Sequence, residues 1–308
     1  METESEEVSP IEWRLTDLHA TLRRYWGFDC FRPQQERVIR SILAGRDVAV
    51  IMPTGGGKSL CYQLPAILSG GTTVVVSPLI ALMHDQAAQL EQMGIPAAVL
   101  NSTLNPAEQS RIMRSATEGA YRLLYLSPER LQRPETFGWL SRVPISFFAI
   151  DEAHCISEWG HEFRPEYRML NRLREQFPEH PVAAFTASAT QRVRHDILAQ
   201  LKLRQPEKVV LSFDRPNLRY LVRQVDAANQ ERLLLRALET YSGSNVIIYA
   251  PTILRVEETV DLLNERGIAA VGYHGKMTGE VRKRNQEMWA QDEAPVLVGT
   301  IAFGMGIN

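Results

Sequence analysis

From residue 47 onward the chain alternates short apolar, β-branched runs with longer amphipathic segments, and that rhythm leaves few folds open. VAVIM (48–52), TTVVVS (72–77), AAVLNS (97–102), RLLYLS (122–127), ISFFAI (145–150) and PVAAFTA (181–187) read as strands. They are apolar almost throughout rather than alternating, the pattern of strands buried on both faces. Between them lie helical patterns such as LIALMHDQAAQLEQM (79–93), closed by Gly94, and TQRVRHDILAQL (190–201). An earlier helical pattern runs over 15–26. Regular β-α alternation predicts an α/β fold with a parallel sheet covered by helices on both sides.

The rhythm resets after Val210. SFDRPNLRYLV (212–222) reads as a linker and a new strand. Helix QERLLLRALETY (230–241), strand NVIIYA (245–250), helix LRVEETVDLLNERG (254–267), strand AAVGY (269–273), helix GEVRKRNQEMWAQD (279–292) and strand PVLVG (295–299) follow. The chain of 308 residues, 44% hydrophobic, is long enough for two domains with separate cores. The expected division is an acidic flexible tail over 1–14, a first domain over 15–211 and a second over 212–308. No short-period repeat or low-complexity stretch interrupts it.

The net charge of -2 gives no global basic signal, so any nucleic-acid surface must be a local patch. Cys30, Cys61 and Cys155 form no CxxC pair. They fit a reducing compartment and neither a disulfide framework nor a zinc site. No apolar run approaches the about 18 residues of a membrane span. The opening METESEEVSP is acidic and polar, opposite to a signal peptide's basic start, which points to a cytoplasmic protein.

Two short words carry chemistry. TGGGKS (54–59) follows the first apolar run and precedes an apolar helical segment. A glycine-rich turn there points N–H groups and a helix N-terminus at phosphates. Thr54, Gly55, Gly56 and Gly57 would form the cradle, Lys58 would reach the β- and γ-phosphates, and Ser59 would ligate Mg²⁺. The usual first glycine of such a loop is Met52 here, and a merely flexible glycine loop is the bland alternative. DEAH (151–154) follows ISFFAI, at the C-terminal end of a strand where open α/β sheets place ligands. Asp151 would hold Mg²⁺, Glu152 would orient or deprotonate an attacking water, and His154 completes the catalytic set. Two solvated carboxylates are the alternative. The spacing of His154 and His161 supports no metal site.

PTGGGKS, VSPLIALMHDQ (76–86), DEAHCISEWGHEFRPEY (151–167), FTASAT (185–190), SFDRPNLRY (212–220) and VLVGTIAFGMGIN (296–308) together resemble the RecQ family of DNA helicases, within helicase superfamily 2. The resemblance runs from about residue 18 to the end. It implies tandem RecA-like P-loop domains with parallel sheets, and its phosphate loop lacks the first glycine, in keeping with Met52. GFDCFRPQQ (27–35) resembles the family's adenine-recognition motif, which implies that Gln35 reads the adenine edge, Arg32 assists and Phe28 stacks. A Gln amide satisfies adenine's donor and acceptor together, favouring ATP over GTP. Phe31 reads as a core residue.

The stretch 159–167 resembles the family's aromatic-rich loop, implying nucleic-acid contacts by Trp159, His161, Phe163 and Arg164. From the residues alone, Trp159 and Phe163 read as core residues rather than as nucleic-acid contacts. The resemblance also places Ser77, Pro78 and the run 127–130 along the nucleic-acid backbone. Ser188, Ala189 and Thr190 fall in the motif coupling hydrolysis to domain movement. Thr252, Arg255 and Thr300 would contact DNA from the second domain, where Pro251 and Lys276 depart from the family pattern. The basic run 282–284 reads as a solvated helix face.

The implied function is an ATP- and Mg²⁺-dependent DNA helicase, a monomer acting on single-stranded and partial-duplex DNA with 3′-to-5′ polarity. A DNA-stimulated ATPase or translocase without unwinding, and a non-catalytic DNA-binding fragment, are its rivals. The sequence stops at GMGIN, inside a family motif. The expectation is therefore a truncated, incomplete second domain without the family's Gln/Arg-rich motif and later zinc-binding and winged-helix segments, and hence weak activity.

Overall fold

In the computed structural model, residues 17–101, 104–160, 163–212, 218–226, 229–301 and 303 are described. The expected tail and His161 lie outside them. The chain divides into two units, Met1–Asp214 and Arg215–Asn308.

The first unit begins with α1 (Leu18–Trp26) and α2 (Gln35–Leu43), then β1 (Val48–Ile51), α3 (Lys58–Leu68), β2 (Thr72–Val76), α4 (Ile80–Gln92) and β3 (Ala97–Leu100). It continues with α5 (Pro106–Thr117), β4 (Leu123–Leu126), α6 (Pro128–Leu131), α7 (Pro134–Leu140) and β5 (Ile145–Ile150). Two 3₁₀ turns, Ala153–Ile156 and Pro165–Leu170, lead into α8 (Asn171–Gln176), β6 (Val182–Thr186), α9 (Gln191–Gln200) and β7 (Glu207–Val210). The strands form one seven-stranded sheet in the order β3-β4-β2-β5-β6-β1-β7, and every pairing is parallel.

The uninterrupted apolar runs have a direct cause in two cores. Val74, Val76, Phe148 and Ile150 face one side and pack with Ile112, Leu140, Tyr167 and Ile197. Their chain neighbours Val75 and Phe147 face the other side, with Val38, Cys61, Met83 and Leu90. Each fully buried side chain of this size contributes about 1.5–3 kcal/mol, so the strand ends sit on a rigid support. Asp47 adds a polar clasp at the start of β1. Its buried carboxylate accepts from the N–H groups of Val182 (2.9 Å) and Arg204 (2.6 Å) and pairs with Arg174 (2.5 Å).

The seventh strand, EKVV, was not among the expected ones. It lies at the sheet edge, where Lys208 and Val210 stay exposed and only Val209 is buried. Edge strands carry charge and need no apolar run.

The second unit contains α10 (Gln230–Thr240), β8 (Val246–Tyr249), α11 (Ile253–Glu265), β9 (Ala270–Tyr273), α12 (Gly279–Ala290) and β10 (Val296–Gly299). Its three strands pair in parallel in the order β8-β10-β9. Leu238 of α10 and Val256 and Leu263 of α11 cover one face through Val246, Ile248, Val296 and Val298. Met288 and Trp289 of α12 cover the other through Val271, Leu297 and Phe303. The expected strand over 212–222 is not formed at its described residues, 212 and 218–222, and Tyr220 and Val222 are largely exposed. Residues 213–217 lie outside the described chain. Among the described residues, no helix is long and apolar enough to cross a membrane.

Candidate functional site

The glycine turn links β1 to α3, so the first turn of an eleven-residue helix sits directly behind it. Gly57 has φ of +80°, a left-handed conformation, and a Cβ there would lie 2.2 Å from Gln35 Nε2. Only glycine meets both demands. Gln35 is buried at the start of α2. Its Nε2 donates to the Gly57 carbonyl (3.1 Å), and its Oε1 accepts from Arg32 N–H (2.8 Å). The Arg32 guanidinium donates to the Gly55 carbonyl. The expected adenine-reading residues and the glycine turn are thus one hydrogen-bonded assembly. The Gln35 amide keeps one N–H and one lone pair for a ligand. Phe28 is 53% exposed, and Phe31 packs against the cluster around Leu18 and Leu64. Thr54 is exposed at the rim. Lys58 Nζ donates to the Met52 carbonyl at 3.3 Å.

Asp151 stands at the end of β5, two strands from β1 with β6 between them, a lateral offset of about 10 Å. It is 5% exposed. Its carboxylate accepts from Glu152 N–H (3.0 Å) and Ser77 Oγ (3.4 Å). Burial first, and then the neighbouring Glu152 charge, push its pKa up to about 7, against the opposing charge of Lys58. That opposition places the lysine and the carboxylate in one electrostatic site.

His154, 4% exposed, fixes the geometry behind the carboxylates. Its Nδ1 lies 2.8 Å from Thr186 Oγ1 and 3.2 Å from Glu152 Oε2. The Thr186 hydroxyl has a single proton, and it donates to the Ser188 carbonyl (3.1 Å). An imidazole proton on Nδ1 would be shared between Thr186 and Glu152. Nε2 lies 3.8 Å from Cys155 Sγ. Glu152 itself has φ of +46°, a conformation that bulky residues hold only where the surroundings impose it.

Ser59 is held by a buried chain that sequence reading missed. Gln86 Nε2 approaches Ser59 Oγ at 3.4 Å, and Tyr62 OH donates to Gln86 Oε1 at 2.9 Å. Among the described residues no three His, Cys, Asp or Glu cluster as a metal cage. One hydroxyl and one buried carboxylate do fit a hexacoordinate Mg²⁺ that takes its remaining ligands from phosphate and water.

The aromatic-rich segment hangs from the same strand end. Tyr167, fully buried, donates its hydroxyl to the Asp151 carbonyl at 2.9 Å. Arg164 donates to the Pro78 carbonyl at 3.3 Å. Phe163 is half-buried, with the Arg168 guanidinium 5.2 Å from its ring centroid. Trp159 is 58% exposed, and the Arg192 guanidinium lies 3.2 Å from its ring centroid. Exposure of this size removes the core-packing alternative for Trp159. Tyr167 lies in the quoted motif but was given no role of its own, and Arg192 was assigned none.

The other expected positions have the following surroundings. Ser77, Ser127 and Arg130 are buried, and Arg130 donates to Gln109 Oε1 (3.0 Å) and Met113 Sδ (3.2 Å). Its charge is turned inward against α5. Thr190 caps α9 by accepting from Val193 N–H, while Ser188 is exposed. In the second unit, Thr252 caps α11 by accepting from Arg255 N–H (3.2 Å), and the exposed Arg255 pairs with Glu258 (3.1 Å). Thr300 follows β10 and donates its N–H to the Tyr273 carbonyl at 3.1 Å.

The profile of the DEAD/DEAH box helicase family matches residues 32–197, and that of the helicase conserved C-terminal domain matches residues 229–308. The ATP-dependent DNA helicase RecQ of Haemophilus influenzae is 43% identical over 289 residues, covering 94% of this chain and 46% of that protein. RecQ of Pasteurella multocida is 44% identical over 302 residues, covering 98% of this chain and 47% of that protein. The chain spans about half the length of these curated relatives. Mycobacterium smegmatis helicase Lhr bound to ssDNA and AMP-PNP has a TM-score of 0.67 at 19% identity, over 96% of this chain and 43% of that one. DUF1998 helicase MrfA bound to DNA and AMPPNP has a TM-score of 0.72 at 18% identity, over 97% of this chain and 45% of that one. At these identities the likeness is one of fold, that of tandem RecA-like helicases.

Proposed function

We infer the function of this chain from its family: it belongs to the DEAD/DEAH-box helicases and, within them, to the RecQ family. We propose that it is an ATP-dependent DNA helicase that moves 3′-to-5′ along one strand and separates the other. The observation that carries this reading is the convergence of three elements at one end of one sheet. They are the glycine turn after β1, the Asp151–Glu152 pair after β5, and an aromatic segment tied to Asp151 through Tyr167.

In this reading Gln35, with Arg32 and Phe28, receives adenine, and residues 54–59 receive the phosphates. Lys58 exchanges its bond to Met52 for the transferred phosphate, where a cation is needed most. Ser59 and Asp151 would hold Mg²⁺, whose positive charge on the phosphates would complement that of Lys58. Glu152 orients and deprotonates the attacking water, and the His154 Nδ1–H holds its carboxylate in place. A base on Trp159 shifts a segment joined to Asp151 by one hydrogen bond, which supports stimulation of turnover by DNA. Three free cysteines, two of them buried, support a cytoplasmic protein. Phe163, Arg164, Thr252, Arg255 and Thr300 are the remaining proposed DNA contacts.

Strand displacement, run beside ATP turnover on partial duplexes with a 3′ or a 5′ tail, tests the proposal. ATP-dependent displacement from the 3′-tailed substrate is expected. DNA-stimulated turnover without displacement would leave a translocase. DNA binding without turnover would leave a non-catalytic binding protein.

A further inference from the structure

Arg192 occupies the first turn of α9, where a cation opposes the helix dipole. Helix stability does not account for it. Among the described residues no carboxylate is within ion-pairing distance of its guanidinium. The group instead lies over one face of Trp159, with Cζ 3.2 Å from the ring centroid.

The same helix holds the segment a second time. One turn further along, Asp196 accepts a hydrogen bond from Ser157 Oγ at 2.6 Å, and that oxygen accepts in turn from Trp159 N–H at 3.2 Å. Gly160 then turns the chain so tightly that a Cβ would lie 2.7 Å from the His154 carbonyl. Trp159 is thus presented from α9, backbone and ring together. With the Arg192 guanidinium over one face, Trp159 is still 58% exposed. That leaves room for one base. A guanidinium that stacks through its plane keeps its N–H groups directed outward in that plane. Stacked so on Trp159, they would point past the ring toward the sugar-phosphate backbone of a nucleotide on its other face.

We propose that Arg192 is a further single-strand-binding residue: its plane supports the Trp159 ring while its N–H edge pairs with a backbone phosphate of the nucleotide stacked on the opposite face. The inference rests on the reading of this chain as a DNA-dependent ATPase. It makes base stacking and phosphate pairing one event, because a base on Trp159 brings its own phosphate to Arg192.

The test is fluorescence anisotropy of a labelled oligothymidylate titrated with the full chain across a salt series, for wild type, Arg192→Gln and Arg192→Lys. Arg192→Gln is expected to bind more weakly at low salt, with a plot of log affinity against log salt shallower by about 0.7, the contribution of one single-strand phosphate. Arg192→Lys keeps the charge and is expected to keep the wild-type slope. Circular dichroism melting checks that both variants remain folded, as exposure of the side chain predicts. A wild-type affinity and slope in Arg192→Gln would overturn the inference while leaving the broader reading intact. So would a slope in Arg192→Lys as shallow as that of Arg192→Gln. Wild-type protein that fails to bind the oligonucleotide would sink the inference and the broader reading together.

Discussion

Nδ1 of His154 lies 2.8 Å from the hydroxyl of Thr186, joining the turn after β5 to the end of β6. The Thr186 carbonyl accepts from Met52 N–H at 3.1 Å, at the start of the glycine turn. One residue therefore touches both halves of the proposed ATP site. The contacts run from Met52 through Thr186 and His154 to Glu152.

Glu152→Gln keeps the size and the His154 contact but cannot take a proton from water. ATP turnover is expected to fall by about 10²–10⁴-fold, with nucleotide affinity near that of wild type. Single-turnover kinetics beside equilibrium nucleotide binding separates the two effects. Wild-type turnover would remove Glu152 from the proposed role.

Gly57→Ala puts a Cβ against Gln35 Nε2 at a backbone conformation costing about 1–2 kcal/mol for any other residue. The phosphate loop and the adenine-reading amide should fail together. The expected result is lost nucleotide affinity in a protein that still folds, seen as a melting temperature that ATP no longer raises.

Burial raises Asp151 to about 7. A cation needs the carboxylate deprotonated, so Mg²⁺ affinity should rise with pH up to about 7 and level off above it. Calorimetry of Mg²⁺–nucleotide binding in buffers of different ionisation enthalpy is expected to show proton release approaching one at pH 6 and falling toward zero at pH 8. Release that does not change with pH would place the cation elsewhere.

Trp159→Ala removes the exposed ring. Single-strand affinity should drop by the about 1–3 kcal/mol that one stacked base contributes, and the ratio of DNA-stimulated to unstimulated turnover should fall. Loss of the folded state by circular dichroism would instead make Trp159 a structural residue.

The parallel sheet was legible because strands buried on both faces leave uninterrupted apolar runs, and β1, β2 and β5 show them. EKVV left no such trace, because an edge strand has little to bury. The stretch around Tyr220 and Val222 has the composition of a strand but forms none and is largely exposed. In the site, glycine, lysine and paired carboxylates announce themselves by spacing. The residues that hold them do not. Gln86 bonds Ser59 from 27 positions away, and Tyr167 bonds Asp151 from 16. Such partners are set by the packing of α4 and of the second 3₁₀ turn. Arg130 shows the reverse: a basic residue at a strand end, turned inward by the neighbours α5 offers it.

ATP turnover with and without single-stranded DNA, for the wild-type chain beside Lys58→Ala, tests the account most directly. The prediction is turnover that single-stranded DNA raises and that Lys58→Ala abolishes, because Lys58 is the cation of the glycine turn itself, at the start of the helix behind it. Turnover that survives Lys58→Ala, or that single-stranded DNA leaves unchanged, would contradict it.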